Sequence, residues 1–177
     1  MVRSLALPLA LTLPVLLSSC VGAPEPAPRP VRTATTWNPP VAPENRLCLA
    51  NLSQKYATFT PLPDQYYGAG CTALGAVRLT SLRSDNGTLQ IANLGPVTCP
   101  LASTLSGWAR YGVDRAARAI LGSPLVRIET MGSYSCRNVA GTSRLSAHAS
   151  ANAVDVSGFV LEDGRRITVL RDWENGH

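Results

Sequence analysis

The sequence predicts an α+β domain with an antiparallel sheet and packed helices, and three observations carry the prediction. Residues 98–122 form a helical stretch bounded by proline and glycine, residues 125–131 alternate and are rich in β-branched side chains, and an Asp-Gly turn joins two later apolar runs. The helical stretch reads as two pieces. Thr98 caps the first with Pro100 just inside it, Leu101, Leu105 and Trp108 fall on one face, and Gly112 breaks the run. Asp114 caps the second, in which Ala117, Ile120 and Leu121 face inward until Gly122 and Pro124 stop it. Residues 125–131 then place Val126, Ile128 and Thr130 on one face, the period of a strand. Residues 154–161 and 166–170 read as a hairpin around Glu162-Asp163-Gly164-Arg165, because Asp-Gly supplies the positive backbone angles of a tight turn. Upstream, residues 77–82 and 89–93 read as strands flanking Asp85-Asn86-Gly87, and the rest of residues 47–94 carries no clear period.

Residues 1–19 precede the domain as an export signal. A positive start at Arg3 leads into an apolar run from Leu5 to Leu17 interrupted at Pro8, Thr12 and Pro14. An apolar core of roughly a dozen residues with two prolines is too short and too kinked to span a bilayer. The run ends in Leu17-Ser18-Ser19-Cys20, which resembles a bacterial lipobox: a branched apolar residue, two small residues and the cysteine that takes the lipid. Lipidation at Cys20 would supply the several acyl chains that stable attachment requires. Val21 follows in place of an aspartate, the pattern of lipoproteins forwarded to the outer membrane, so the expected location is an outer-membrane anchor facing the periplasm. Residues 20–44 are dominated by proline, alanine and threonine, cannot bury a core, and read as an extended tether. Residues 45–177 are then one domain of 133 residues, long enough for a sizeable core.

The formal charge is +5, and removing Arg3 with the signal leaves 15 basic against 11 acidic residues, or +4. That mild bias suits an anionic envelope polymer. No basic run is interleaved with aromatics, which argues against nucleic acid. Beyond Cys20 there are four cysteines, Cys48, Cys71, Cys99 and Cys136, an even set in an exported chain that implies two disulfides. Three pairings are open. Cys48 with Cys71 and Cys99 with Cys136 is the favoured one, since each closes a loop of a few tens of residues. A four-cysteine zinc site would need close pairs such as C-x-x-C, and these four are scattered singly.

The chemistry concentrates in Ser133-Tyr134-Ser135-Cys136-Arg137, Arg144-Leu145-Ser146-Ala147-His148 and Asn152-Ala153-Val154-Asp155-Val156-Ser157-Gly158-Phe159. An imidazole and a carboxylate are both good zinc ligands. His148 would sit in the loop entering a strand and Asp155 on the strand itself, sharing a face with Ala153, Ser157 and Phe159. A carboxylate among apolar neighbours needs a partner, and a cation is one. On spacing alone a histidine near an aspartate is more often an ordinary hydrogen-bonded pair.

The pattern Ser-x-His followed seven residues later by Asp resembles the zinc-ligand signature of D-Ala-D-Ala carboxypeptidases, with lysostaphin-type and hedgehog-type domains among their relatives. The longer string through Phe159, with the cysteine-bearing blocks upstream, is similar to the extensin-like C-terminal domain over most of residues 46–173. The resemblance implies a D-Ala-D-Ala carboxypeptidase/hedgehog-like fold, zinc as cofactor and peptidoglycan as partner. It implies that His148 and Asp155 are metal ligands, and that Arg137 contacts substrate and the charge developing on a scissile carbonyl. Arg137 could instead make a salt bridge or a cap beside a Cys136 disulfide. Ser146 would bond locally to hold the ligand loop.

A catalytic zinc needs three protein ligands, an open position and a base. Family members usually continue past the Asp172-Trp173 region into a helix and a strand bearing His-x-His, so the expectation is that the chain ends short of that strand. A complete, inert domain that binds without catalysis is the second account. The third uses Glu174-Asn175-Gly176-His177, whose E-x-x-H spacing would make Glu174 a base and His177 the third ligand. Two functions follow: a zinc peptidase acting on peptidoglycan peptides, or a non-catalytic peptidoglycan-binding or scaffolding lipoprotein. A structural wall role of the plant extensin kind is disfavoured, because the sequence holds no Ser-Pro-Pro-Pro-Pro repeat.

Overall fold

Residues 42–172 are described by a computed structural model. The export signal, Cys20, residues 20–41 of the tether, Glu174 and His177 lie outside the described residues. The class is α+β, but the sheet is mixed where the sequence predicts an antiparallel one.

Helix α1, Pro43–Gln54, starts two residues ahead of the expected domain boundary, with proline in its first turn and Glu44 at its positive end. Leu52 is its one fully buried residue. The strands that follow are β1 Thr58–Pro61, β2 Gln65–Gly68, β3 Cys71–Ala73, β4 Ala76–Arg83, β5 Thr88–Ala92 and β6 Val97–Thr98. Strands β2 and β3 pair only with each other, while β4 pairs with β1, β5 and β6. The β4–β5 hairpin turns at the expected Asp85-Asn86-Gly87, where the Ser84 hydroxyl accepts the Gly87 N–H at 2.9 Å.

The predicted two-piece helix is instead one continuous helical run. Helix α2, Cys99–Gly107, passes through a π-helical turn, Trp108–Asp114, into α3, Arg115–Leu121. Gly112 lies within the π turn and does not break the helix. A π turn adds a residue to the winding and rotates everything downstream. Ala102, Leu105, Ala109 and Ala117 therefore face the core, whereas Trp108 is 41 % and Ile120 76 % exposed, contrary to the predicted faces. Thr98 makes no side-chain cap and donates to Asn152 Oδ1 at 3.1 Å. Asp114 makes no cap either: it is fully buried, accepting the Leu125 N–H at 2.9 Å and Arg118 Nε at 3.1 Å. The stop at Gly122, in the left-handed region at φ +69°, is as expected.

Strand β7, Leu125–Gly132, buries Ile128 and Thr130 as predicted, and Leu125 as well because a bulge shifts the register between Leu125 and Arg127. Strand β8, Asp155–Leu161, and β9, Arg166–Thr168, form the predicted hairpin, with Gly164 at φ +88° in its turn. The second arm ends at Thr168, not residue 170, because Asp172 of α4, Val169–Asp172, accepts the Thr168 N–H at 2.7 Å and turns the chain helical. The sheet order is β1-β4-β5-β7-β8-β9, with β5 and β7 parallel and the other pairs antiparallel. The α2–α3 run is the crossover that a parallel pair requires. Leu79, Leu82, Leu89, Ile128 and Leu161 of the sheet pack with Leu52, Ala102, Leu105 and Ala117 of the helices into the main core. Among the described residues no helix is long and apolar enough to cross a membrane.

Both disulfides form, with partners other than the favoured ones. Cys48 pairs with Cys99 and Cys71 with Cys136, which corrects the Cys48–Cys71 and Cys99–Cys136 expectation. Proximity in sequence loses to topology here: α1 packs on α2, and β3 packs on the 3-10 turn at Ala147–Ser150, to which the segment around Cys136 is hydrogen-bonded.

The Asp85 turn is clamped to the π turn and to the first residue of α3. Arg110 Nε lies 2.7 Å from Asp85 Oδ1 and Arg115 Nε 2.8 Å from Oδ2. Hydrogen bonds from Arg115 first and Arg110 second hold the Asp85 pKa at about 2, down from 3.8. The folded value is the depressed one, so the clamp's contribution is full above pH ~4 and is lost as pH falls through about 2. Asp85→Asn should therefore melt below wild type at pH 6, and the difference should shrink as pH falls and vanish below about 2. Equal melting temperatures at pH 6 would remove the clamp from the account.

Candidate metal centre

The site is built where β7 ends and β8 begins. The two strands pair antiparallel, and Gly132, the last residue of β7, stands opposite Asp155, the first of β8. Gly132 has φ +117°, a conformation that side chains with a Cβ avoid, and it turns the chain into the buried Ser133. The Ser133 hydroxyl donates to the Pro96 carbonyl at 2.7 Å, which fixes the residue and aims its own carbonyl at His148.

His148 lies in a short 3-10 turn, Ala147–Ser150. Ser146 caps that turn, its hydroxyl accepting the His148 N–H at 3.3 Å, so it bonds locally at the position the sequence singled out. The loop is pinned on three sides: Ser135 N–H donates to the His148 carbonyl, Ser146 N–H to the Arg137 carbonyl, and Thr98 N–H to the Ala151 carbonyl. Ala151, fully buried at φ +55°, closes the turn.

His148 Nδ1 lies 2.9 Å from the Ser133 carbonyl oxygen. A carbonyl only accepts, so Nδ1 carries a proton, and Nε2 is the ring nitrogen left to face Asp155. That Nε2 stands 3.4 Å from Asp155 Oδ1. The separation is long for a charge-assisted hydrogen bond, which runs at about 2.7–2.9 Å. It does suit two ligands on one ion: donors at roughly 2.0–2.1 Å from a tetrahedral centre stand about 3.3 Å apart. An imidazole nitrogen and a carboxylate oxygen are both ordinary donors to a divalent ion, and here they face each other across that distance. The imidazole is mostly covered, while the Asp155 side chain is half-exposed, which differs from the apolar surroundings the sequence suggests and leaves the pair open to solvent.

An open groove of about 640 Å³ runs along the loop, lined by Gly70, Val139, Arg144, Ser146, His148 and Ala153 among others. A separate hollow of about 210 Å³ between α3 and β8–β9 is lined only by apolar side chains and offers no group for chemistry. Arg137 is exposed, and among the described residues it makes neither the salt bridge nor the cap considered for it; its carbonyl, not its guanidinium, makes the contact with Ser146. Cys136 is bonded to Cys71, so β3 is tied to the residue before Arg137. No third histidine, cysteine, aspartate or glutamate joins His148 and Asp155 among the described residues.

Sequence reasoning missed three participants. Ser133 acts through a main-chain carbonyl, which no residue type signals. Tyr134 packs its ring, tilted, against Tyr67 with centroids 4.9 Å apart and buries a hydroxyl that has no partner among the described residues; burial, then Tyr67, push its pKa upward. Arg144 was part of the motif string without a role, and only the fold brings it to the groove.

No curated protein matches the chain, and no solved structure does. The family described as Extensin-like protein C-terminus matches residues 46–177, the stretch that holds both disulfides, His148 and Asp155, and the chain therefore belongs to that family.

Proposed function

We propose that this chain is a lipoprotein anchored through Cys20 in the outer membrane, facing the periplasm, whose domain is a zinc-peptidase-like unit hydrolysing or binding peptidoglycan peptides. The observation that carries the reading is the 3.4 Å approach of His148 Nε2 to Asp155 Oδ1, with the imidazole's other nitrogen already engaged by Ser133. This donor set fits a divalent ion of tetrahedral preference, and an outer partner on the histidine is what metal sites ordinarily carry. A D-Ala-D-Ala carboxypeptidase/hedgehog-like fold belongs to the same proposal, supported by the Ser146-x-His148 pattern with Asp155 seven residues on.

His148 and Asp155 would hold the ion. Zinc in such a site supplies Lewis acidity and lowers the pKa of bound water toward about 7. Ser133 keeps the proton on Nδ1, so that Nε2 stays available as a ligand. Ser146 holds the turn that carries the histidine, and the exposed Arg137 guanidinium offers donors to a peptide carbonyl on which negative charge grows. The third ligand and the base fall to residues outside those described, where Glu174 and His177 remain the candidates of this chain.

The test is zinc content of the purified mature protein, with material released from purified sacculi measured in parallel. One zinc per chain, lost in His148→Ala and Asp155→Asn together with release, is the expected result. A wild-type protein that holds no zinc and releases nothing rules out the peptidase. A second reading, non-catalytic binding to peptidoglycan, is favoured by the two-residue donor set among the described residues. Sacculus pull-down separates the two, since a pure binder should keep its affinity in His148→Ala.

A further inference from the structure

We propose that Arg144, with Arg137 beside it, anchors the free carboxylate of a peptide in the groove that His148 lines. This deepens the peptide-directed reading above and rests on it for the class of ligand.

The placement comes from a small ladder. Asn138 and Leu145 form an antiparallel bridge, flanked by Ser146 N–H to the Arg137 carbonyl at 3.0 Å and Val139 N–H to the Arg144 carbonyl at 2.9 Å. Arg137 is therefore opposite Ser146, and Val139 is opposite Arg144. Alternation puts Arg137, Val139, Arg144 and Ser146 on one face and Asn138 and Leu145 on the other. Diagonal neighbours on such a face lie about 7–8 Å apart, within reach of two arginine side chains converging on one anion.

The ladder has little room to shift. Leu145 packs so closely on Gly70 that a Cβ there would come within 2.8 Å of Leu145 Cδ1, and the Cys71–Cys136 disulfide holds the first arm. Thr142 Oγ1 also accepts the Arg144 N–H at 3.3 Å.

Both guanidiniums are exposed. Arg144 is the arginine that lines the groove, and neither it nor Arg137 has an ion pair or side-chain hydrogen bond among the described residues. The groove lining includes Arg144 and His148 but no carboxylate. A guanidinium with an unused fork is a ready partner for a bidentate carboxylate, and the nearest carboxylate to the groove, Asp155, faces His148. Arg144 is four residues before His148 on one pinned loop, so a chain end held by it lies close to the metal pair. The groove would thus prefer peptides that end nearby over internal segments of a long chain.

The test uses the mature protein, with and without added zinc, and two probes: N-acetyl-alanyl-alanine with a free carboxylate and its carboxamide, in both the L and D series. Affinity is read by calorimetry. The carboxylate should bind at least roughly tenfold more tightly than the amide, and Arg144→Gln should weaken carboxylate binding by about ten- to a hundredfold with little change for the amide. Arg144→Lys should recover part of the loss. Unchanged melting of the variants shows that they fold. A wild type indifferent to carboxylate or amide, or an Arg144→Gln that keeps the preference, overturns the anchor. Inorganic phosphate that displaces the peptide at lower concentration than the peptide itself also overturns the carboxylate assignment. Zinc-dependent hydrolysis with no Arg144 effect would leave the peptidase standing without the anchor; a carboxylate preference lost in Arg144→Gln, in a protein without zinc, would leave the anchor without the peptidase.

Discussion

Replacing Cys71 and Cys136 together with alanine is expected to lower the folding free energy by about 4 kcal/mol. The bond closes a loop of 65 residues, and in the chain-entropy picture a loop of that order restrains the unfolded ensemble by roughly that amount. Against the ~5–15 kcal/mol that holds a typical domain together, this is a large share. The Cys48–Cys99 bond spans 51 residues and should contribute nearly as much, so global stability alone will not separate the two. Local protection will. Cys71–Cys136 ties β3 to the residue ahead of Arg137, and the amides of Ser135, Ser146 and Ala151 bond within the loop that this bond braces. Hydrogen exchange at those amides should quicken more than the global loss explains, while removing Cys48–Cys99 should quicken exchange in α1. Denaturant melts showing a loss under ~1 kcal/mol, or exchange unchanged at Ser146 and Ala151, would contradict this assignment of roles.

What the sequence made legible follows the range of the forces that leave a local trace. The β4–β5 and β8–β9 hairpins were readable because Asp85-Asn86-Gly87 and Asp163-Gly164 mark tight turns between strands that pair with their neighbours in sequence. Helix α1 left almost no trace. Leu52 is the single residue it buries completely, and the Cys48–Cys99 bond does what a wide apolar face does elsewhere. The parallel β5–β7 pair left a trace that an antiparallel expectation passed over: residues 89–93, a helical stretch and residues 125–131 already formed a strand–helix–strand order, which favours a parallel pair. The π turn had no such marker. Gly112 reads as a helix breaker by composition, and only the packing of Ala109 and Ala117 on the sheet shows that the helix continues through it.

At the site, side-chain identity was legible and main-chain geometry was not. Ser146, His148 and Asp155 stood out because ligands and caps are chosen by residue type. Their spacing put the imidazole on a loop and the carboxylate on a strand, and that is where both lie. The Ser133 carbonyl, which sets the tautomer, and the 137–146 ladder, which brings two arginines to one face, depend on hydrogen bonds any sequence could make. Disulfide partners depend on which elements pack together, and loop length carries none of that information.

The second large effect is expected far from the groove, at Asp114. Its carboxylate is fully buried, holds the Leu125 N–H at 2.9 Å and pairs with Arg118 at 3.1 Å. Asp114→Ala leaves a buried amide without an acceptor and a half-covered guanidinium without its partner, and the expected loss is about 2–4 kcal/mol by chemical denaturation. Asp114→Asn should lose less, since the amide oxygen can still accept from Leu125. The consequence for the site runs along β7. Leu125 is where β7 begins, Gly132 is where it ends, and from that end Ser133 orients His148 while Gly132 pairs with Asp155. A strand loosened at Leu125 has its register on β8 held by one fewer constraint, and a shift of one residue would carry Asp155 away from the imidazole. Asp114→Ala should therefore weaken the proposed zinc binding at temperatures well below its own melting point, and restoring the acceptor in Asp114→Asn should recover most of it. Full zinc affinity in a measurably destabilised Asp114→Ala would mean that the far end of β7 fixes the site by itself, independently of how the strand begins.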